Sequence, residues 1–176
     1  MAAERTGEAF EFDEQLTVIG PKLAPGDTAP EFALDHWDGS GMQTVRLADT
    51  AGTVRLLNIV NSLDTPVCEV ETRRWERLRM GLPAEVVLYT ISMDLPWAMA
   101  RWSAAENVSH QGLSSHRDDL FGRDYGVLLK EWRLLQRAVI VIGRDGTIVH
   151  AEYVNDQMRE PDYDAAIASA VGAATP

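Results

Sequence analysis

The sequence predicts an α/β fold: a central mixed β-sheet flanked by helices, with a β-hairpin near the N-terminal end. Three observations carry this. Residues 54–60, 86–91 and 138–142 are short apolar runs rich in Val and Ile. Such near-continuous runs mark strands covered on both faces. Segments with helical start and stop signals stand between and after them. A Gly143-Arg144-Asp145-Gly146 turn then joins the last run to a second β-branched stretch, and an Asp-Gly pair between apolar strands is a strong hairpin signal.

Taken in order, residues 1–9 are expected to be flexible, and residues 10–19 form the hairpin. Phe10, Phe12, Leu16 and Val18 alternate with polar residues around Asp13-Glu14-Gln15, the predicted turn. Residues 21–30, with Pro21, Pro25 and Pro30, read as a loop. Helices are predicted over residues 66–80, closed by Gly81 and Pro83; over 96–106; over 118–125; and over 162–171, closed by Gly172. The hairpin after residue 142 has its second arm at 147–154. Its glycines make no phosphate loop, lacking the Lys-Ser/Thr ending and the helix that would follow. Alternating strands and helices that end in a hairpin and one more helix are what a thioredoxin-like sheet needs. All 176 residues are expected to form a single domain, because 45 % of them are hydrophobic and nothing reads as a dividing linker.

Composition excludes several functions. The 27 acidic against 16 basic residues leave a net charge of -11, which repels a phosphate backbone or an anionic membrane surface. Neither nucleic acid nor membrane is an expected partner. The apolar runs fall far short of the roughly 20 residues a membrane helix needs. Residues 1–12 are rich in Glu and have neither the basic nor the apolar region of a secretory signal, so a cytoplasmic location is expected. His36, His110, His116 and His150 show no ligand spacing and have no Cys-x-x-Cys beside them. They read as scattered surface histidines, and no metal or cofactor is expected.

The chain has one cysteine, Cys68. No intramolecular disulfide is possible, so any redox cycle must use a partner from outside. Ser62-Leu63-Asp64-Thr65-Pro66-Val67-Cys68 follows a predicted strand and opens a predicted helix. Thr65 suits the N-cap and Pro66 the first helical position, where a missing N–H is no loss. Cys68 then stands third in the helix, where free amides and the helix dipole welcome an anion. Cysteines at helix N-termini can ionise at roughly 3.5–7.5 instead of about 8.5, which makes them competent nucleophiles at neutral pH. Glu69 and Glu71 are expected to oppose this.

The same segment resembles the active-site motif of the bacterial thiol peroxidases, the atypical two-cysteine branch of the peroxiredoxins. Three further stretches are similar to the family's, in the same order: Asp94-Leu95-Pro96-Trp97-Ala98-Met99-Ala100-Arg101-Trp102, Arg137-Ala138-Val139-Ile140-Val141-Ile142, and Glu160-Pro161-Asp162-Tyr163-Asp164-Ala165-Ala166. The resemblance implies that Cys68 is the peroxidatic cysteine, Thr65 the hydroxyl that binds the peroxide, and Arg137 the guanidinium that stabilises thiolate and substrate. It implies a peroxide substrate, an external thiol reductant and a homodimer. Trp97, Trp102 and Trp132 agree with a dimer, being more large aromatics than one small core readily hides.

Three departures from the family pattern bear on the chemistry. Asn61 stands seven residues before Cys68, where the signature has a proline that shields the sulfur; its loss is expected to raise exposure or alter the loop. Ser103 replaces the resolving cysteine, and serine cannot condense with a sulfenate. Regeneration must then come from thioredoxin, a low-molecular-weight thiol or a second Cys68. Lys130-Glu131-Trp132-Arg133 fills a loop where the family has Gly and Pro, and reshapes the mouth. Besides a peroxidase, the pattern leaves open a redox sensor whose output is the sulfenate, and a non-catalytic scaffold.

Overall fold

The structure, a computed structural model, describes residues 3–175. Its main sheet is built around the three predicted strands: β5 (Val54–Ile59) lies between β10 (Ala138–Ile142), antiparallel to it, and β6 (Val86–Ser92), parallel. Every residue of β5 is buried. Side chains alternate between faces, so Val54 and Leu56 join one apolar cluster, Leu57 and Ile59 the other.

The sheet extends on both sides. Beyond β6 come β7 (Gln111–Ser114), parallel, then β3 (Ala33–Trp37) and β4 (Met42–Arg46), both antiparallel to their neighbours. Beyond β10, β11 (Ile148–Tyr153) completes the predicted hairpin. Helix α1 (Pro66–Leu78) connects β5 to β6, and α2 (Pro96–Glu106) connects β6 to β7. Trp75 of α1, fully buried, meets Tyr163 with ring centroids 4.9 Å apart, and truncating it would cost about 3–5 kcal/mol.

The bounds of three helices differ from the sequence expectation, α1 stopping at Leu78 short of residue 80. α3 spans only Leu120–Asp124, and α4 runs over Tyr163–Ala174, past Gly172. Ala170 and Ala174 are both buried, so packing carries α4 through a glycine that local propensity reads as a stop. It starts one residue later than expected, at Tyr163, with Asp162 as its N-cap: the Asp162 side chain accepts a bond from Ala165 N at 3.1 Å. Among the described residues no helix is long and apolar enough to cross a membrane.

The N-terminal hairpin is longer than predicted. β1 (Glu4–Glu11) pairs with β2 (Glu14–Ile19), and Phe12 and Asp13 make the turn. Residues 4–9, expected to be flexible, are strand. A distant anchor holds them, since Arg5 Nη2 donates to Gly126 O at 2.9 Å. β2 also pairs with β8 (Leu128–Leu129), which pairs with β9 (Leu134–Leu135). This small sheet sets the turn 130–133 against the hairpin: Thr17 N donates to Glu131 at 2.8 Å, and Trp132 Nε1 to Glu14 at 3.2 Å.

Candidate active site around Cys68

The chain leaves β5, passes residues 60–65 and enters α1. Asp94 pins this loop, accepting from Ser62 Oγ at 2.7 Å and from Leu63 N at 2.8 Å. Thr65 has the extended backbone of an N-cap (φ -102°, ψ 142°), with Pro66 in the first turn as predicted. Its side chain does not cap the helix. The Thr65 hydroxyl donates instead to Ser62 O at 2.9 Å.

Cys68 is fully buried, packed with Val60, Leu63 and Met99, with Trp102 against that cluster. The expected rise in exposure at the missing proline does not occur, because Asn61 is itself buried and tied in. Asn61 Nδ2 donates to Leu135 O at 2.6 Å and to Gln157 Oε1 at 3.0 Å. Its Oδ1 faces the sulfur at 3.8 Å.

Arg137, beside the start of β10, reaches the same point. Its Nη2 lies 3.4 Å from Cys68 Sγ and donates to Gln157 O at 2.9 Å, while Nη1 is paired with Glu71. Glu71 was expected to oppose a thiolate through like charge. Burial instead pushes its carboxyl up to about 8, against the pull of Arg137. Kept protonated at neutral pH, Glu71 leaves the guanidinium charge to the sulfur. Arg137 itself stays charged: in the strongly alkaline range where a guanidinium titrates, Glu71 and Cys68 are both anions, and they outweigh the burial that works against the cation.

A cavity of about 290 Å³ opens against this group, lined among others by Asn61, Thr65, Val67, Trp132, Arg137 and Met158. Asn61, Thr65 and Arg137 are the walls that could hold a peroxide's oxygens; Glu11 and Gln157 are its other polar walls, and the rest are largely apolar.

Residues 24–167 match the redoxin family. The chain is 45 % identical to a thiol peroxidase of Streptococcus sanguinis over 155 residues, 88 % of this chain and 93 % of that one. It is 39 % identical to a thiol peroxidase of Bacillus subtilis (strain 168) over 158 residues, 88 % and 91 % of the two chains. This chain belongs to the thiol peroxidases of the redoxin family. Solved structures agree: a peroxiredoxin-like protein from Aquifex aeolicus superposes with TM-score 0.84 at 29 % identity, covering 94 % of this chain and 96 % of that one. A thiol peroxidase from Chromobacterium violaceum gives 0.80 at 26 %, covering 89 % and 91 %.

Within this thiol peroxidase, Ser103 lies one helical turn beyond Met99 on α2 and lines a separate surface groove of about 840 Å³ with Trp37 and Trp97. Cys68, Thr65 and Arg137 do not line that groove. His110 corrects the surface reading of the histidines, being buried with its Nδ1 2.6 Å from Glu76 and its Nε2 2.8 Å from Thr90 Oγ1. Burial holds His110 below the usual histidine range despite Glu76, so it is a neutral imidazole donating to the carboxylate. Sequence reasoning missed Gln157, whose Oε1 binds both Asn61 and the Arg137 amide, at 3.0 and 2.9 Å. No local pattern announces it.

Proposed function

We propose that this thiol-dependent peroxidase reduces hydrogen peroxide or organic hydroperoxides at Cys68, with Arg137 and Thr65 as its partners, and is regenerated by an external thiol. The observation that carries this is the Arg137 guanidinium 3.4 Å from the buried sulfur. The thiolate attacks one peroxide oxygen: an S–O bond forms, the O–O bond breaks, and Cys68 becomes a sulfenic acid. The proton that Cys68 gave up returns to the leaving oxygen. Arg137 donors aim where negative charge develops. The Thr65 hydroxyl, its hydrogen committed to Ser62 O, has lone pairs free to accept the peroxide's O–H.

Residues 1–176 act as one domain, expected in the cytoplasm. With a single cysteine in the chain, the sulfenic acid awaits thioredoxin, a low-molecular-weight thiol or a second Cys68. The thiol gains access when residues 62–65 or the first turn of α1 move. The chain pairs as a homodimer, for which the half-exposed Leu95 and Trp97 supply apolar surface; light scattering that finds only monomer removes this part.

Turnover tests the reading. With a thiol donor, wild type consumes many equivalents of peroxide and Cys68→Ser none. Consumption of about one equivalent makes the protein a sensor, and none makes it a scaffold. Ser103→Cys restores an internal resolving thiol, and peroxide then yields a disulfide to Cys68, read by mass spectrometry.

A further inference from the structure

Asn61 replaces a ring that can offer no hydrogen bond with an amide, and the amide's orientation is determined. Leu135 O can only accept, so the group that meets it at 2.6 Å is the NH₂; Gln157 Oε1 takes the second hydrogen at 3.0 Å. The carbonyl oxygen must then face the reacting sulfur, at 3.8 Å, with Arg137 Nη2 3.5 Å away. An oxygen there accepts a bond from a hydroxyl and repels an anion. Cys68 passes through both kinds of state: thiol and sulfenic acid are neutral, thiolate, sulfenate and sulfinate are anions.

Resting on the peroxidase reading, we propose that Asn61 is an acceptor for the Cys68 sulfenic hydroxyl and protects the sulfenic acid from overoxidation. Overoxidation needs the sulfenate anion to attack a second peroxide. A second S–O bond forms, that peroxide's O–O bond breaks, its leaving oxygen takes a proton, and a sulfinic acid results. By holding the hydroxyl's hydrogen and opposing an anion, Asn61 Oδ1 slows this step. The same oxygen disfavours the thiolate, so protection comes with a slower first attack. Such an exchange suits a chain in which Ser103 cannot resolve the sulfenic acid, which must persist until an outside thiol arrives. The charged group against the sulfur is Arg137, just ahead of β10, and Glu71 of α1 pairs with that guanidinium; Glu11 of the hairpin lines the cavity beyond.

The test compares wild type with Asn61→Pro, Asn61→Leu and the nearly isosteric Asn61→Asp, each first checked for a cooperative thermal melt. Excess hydrogen peroxide is added without thiol, and mass spectrometry follows one and two added oxygens on the Cys68 peptide, with dimedone trapping the first state. Iodoacetamide alkylation at pH 7 reads the thiolate fraction. One ordinary hydrogen bond corresponds to roughly a threefold to tenfold change. Asn61→Pro and Asn61→Leu should convert sulfenic to sulfinic acid faster by that factor and alkylate faster. Asn61→Asp, which places a carboxylate at the sulfur, should alkylate more slowly than wild type. A merely structural Asn61 would give all three variants the same sign. If folded variants overoxidise and alkylate at the wild-type rate, the proposal is overturned. If wild type itself takes up no oxygen at Cys68, the peroxidase reading has failed instead.

Discussion

Helix α1 carries two carboxyl groups that the fold treats in opposite ways. Glu71 is fully buried; Arg137 binds one of its oxygens, and the other, Oε1, has no partner. Glu76, five residues on, is also pushed up by burial, yet Arg79, His110 and Ser109 together hold it well below the usual carboxylate range. Both of its oxygens are engaged: Oε1 by Arg79 and Ser109, Oε2 by the His110 ring and amide. The difference lies in how deeply each group is buried and how many donors reach it, not in the helix that bears it. A carboxyl with one donor in a dry site keeps its proton; one with four gives it up. The first pairs with the guanidinium that reaches Cys68, and the second ties α1 to Ser109 and His110, just ahead of β7.

The largest way to sharpen this contrast is to remove the shared cation. Arg137→Ala should lower the rate constant for peroxide reduction at least about a hundredfold. Leaving the neutral Glu71 carboxyl and Gln157 O buried without their partner should also cost roughly 1–3 kcal/mol. Stopped-flow kinetics and denaturant titration read the two separately. At the other carboxylate the pattern should invert. Glu76→Gln sets an NH₂ group against donors and should cost roughly 1–3 kcal/mol, with peroxide turnover at 25 °C like that of wild type. Loss of activity in a folded Glu76→Gln protein would break the division between the two ends of α1.

Acid should expose the Glu76 cluster by itself. His110 is held low in the native state, so below about pH 6.5 the unfolded chain binds a proton that the native chain refuses. Glu76 is also held low, so below about pH 4.5 the unfolded carboxyl binds a proton first. Both make stability present at neutral pH and lost as pH falls. Thermal melts from pH 7 to 4 should decline, and should decline less in a His110→Gln variant.

The same contrast explains what the sequence made legible. Strands β5, β6 and β10 could be read because burial on both faces forces apolar runs. β4 could not, since Gln43, Thr44 and Arg46 are exposed on an edge strand; β8 and β9 are two residues each, too short to show a period. In the site, Cys68, Thr65 and Arg137 stood out through the resemblance of their motifs. Glu71 was visible but misread, because counting charges near Cys68 in sequence does not show that the carboxyl is fully buried and keeps its proton. Gln157, bound to Asn61 across 96 residues, had no signal. Pairings of that range exist only once the sheet has formed.

The smallest expected effect isolates the Glu71 proton. Native Glu71 keeps its proton up to about 8, whereas the unfolded carboxyl loses it near 4.3. Between those values the native state binds more protons, so this group makes stability fall as pH rises, opposite to the Glu76 cluster. Glu71→Gln fixes the neutral form and keeps an oxygen for Arg137. At pH 7 its peroxide rate should therefore stay within about threefold of wild type, one hydrogen bond's worth. Above pH 8 the two should part. Ionised Glu71 then competes with the Cys68 thiolate for one guanidinium, so the wild-type rate should fall with pH while that of Glu71→Gln stays level. Profiles of kcat/KM from pH 6 to 10 decide it. Parallel profiles would mean that Glu71 is already ionised at neutral pH, and that Arg137 divides its charge between two anions throughout the working range.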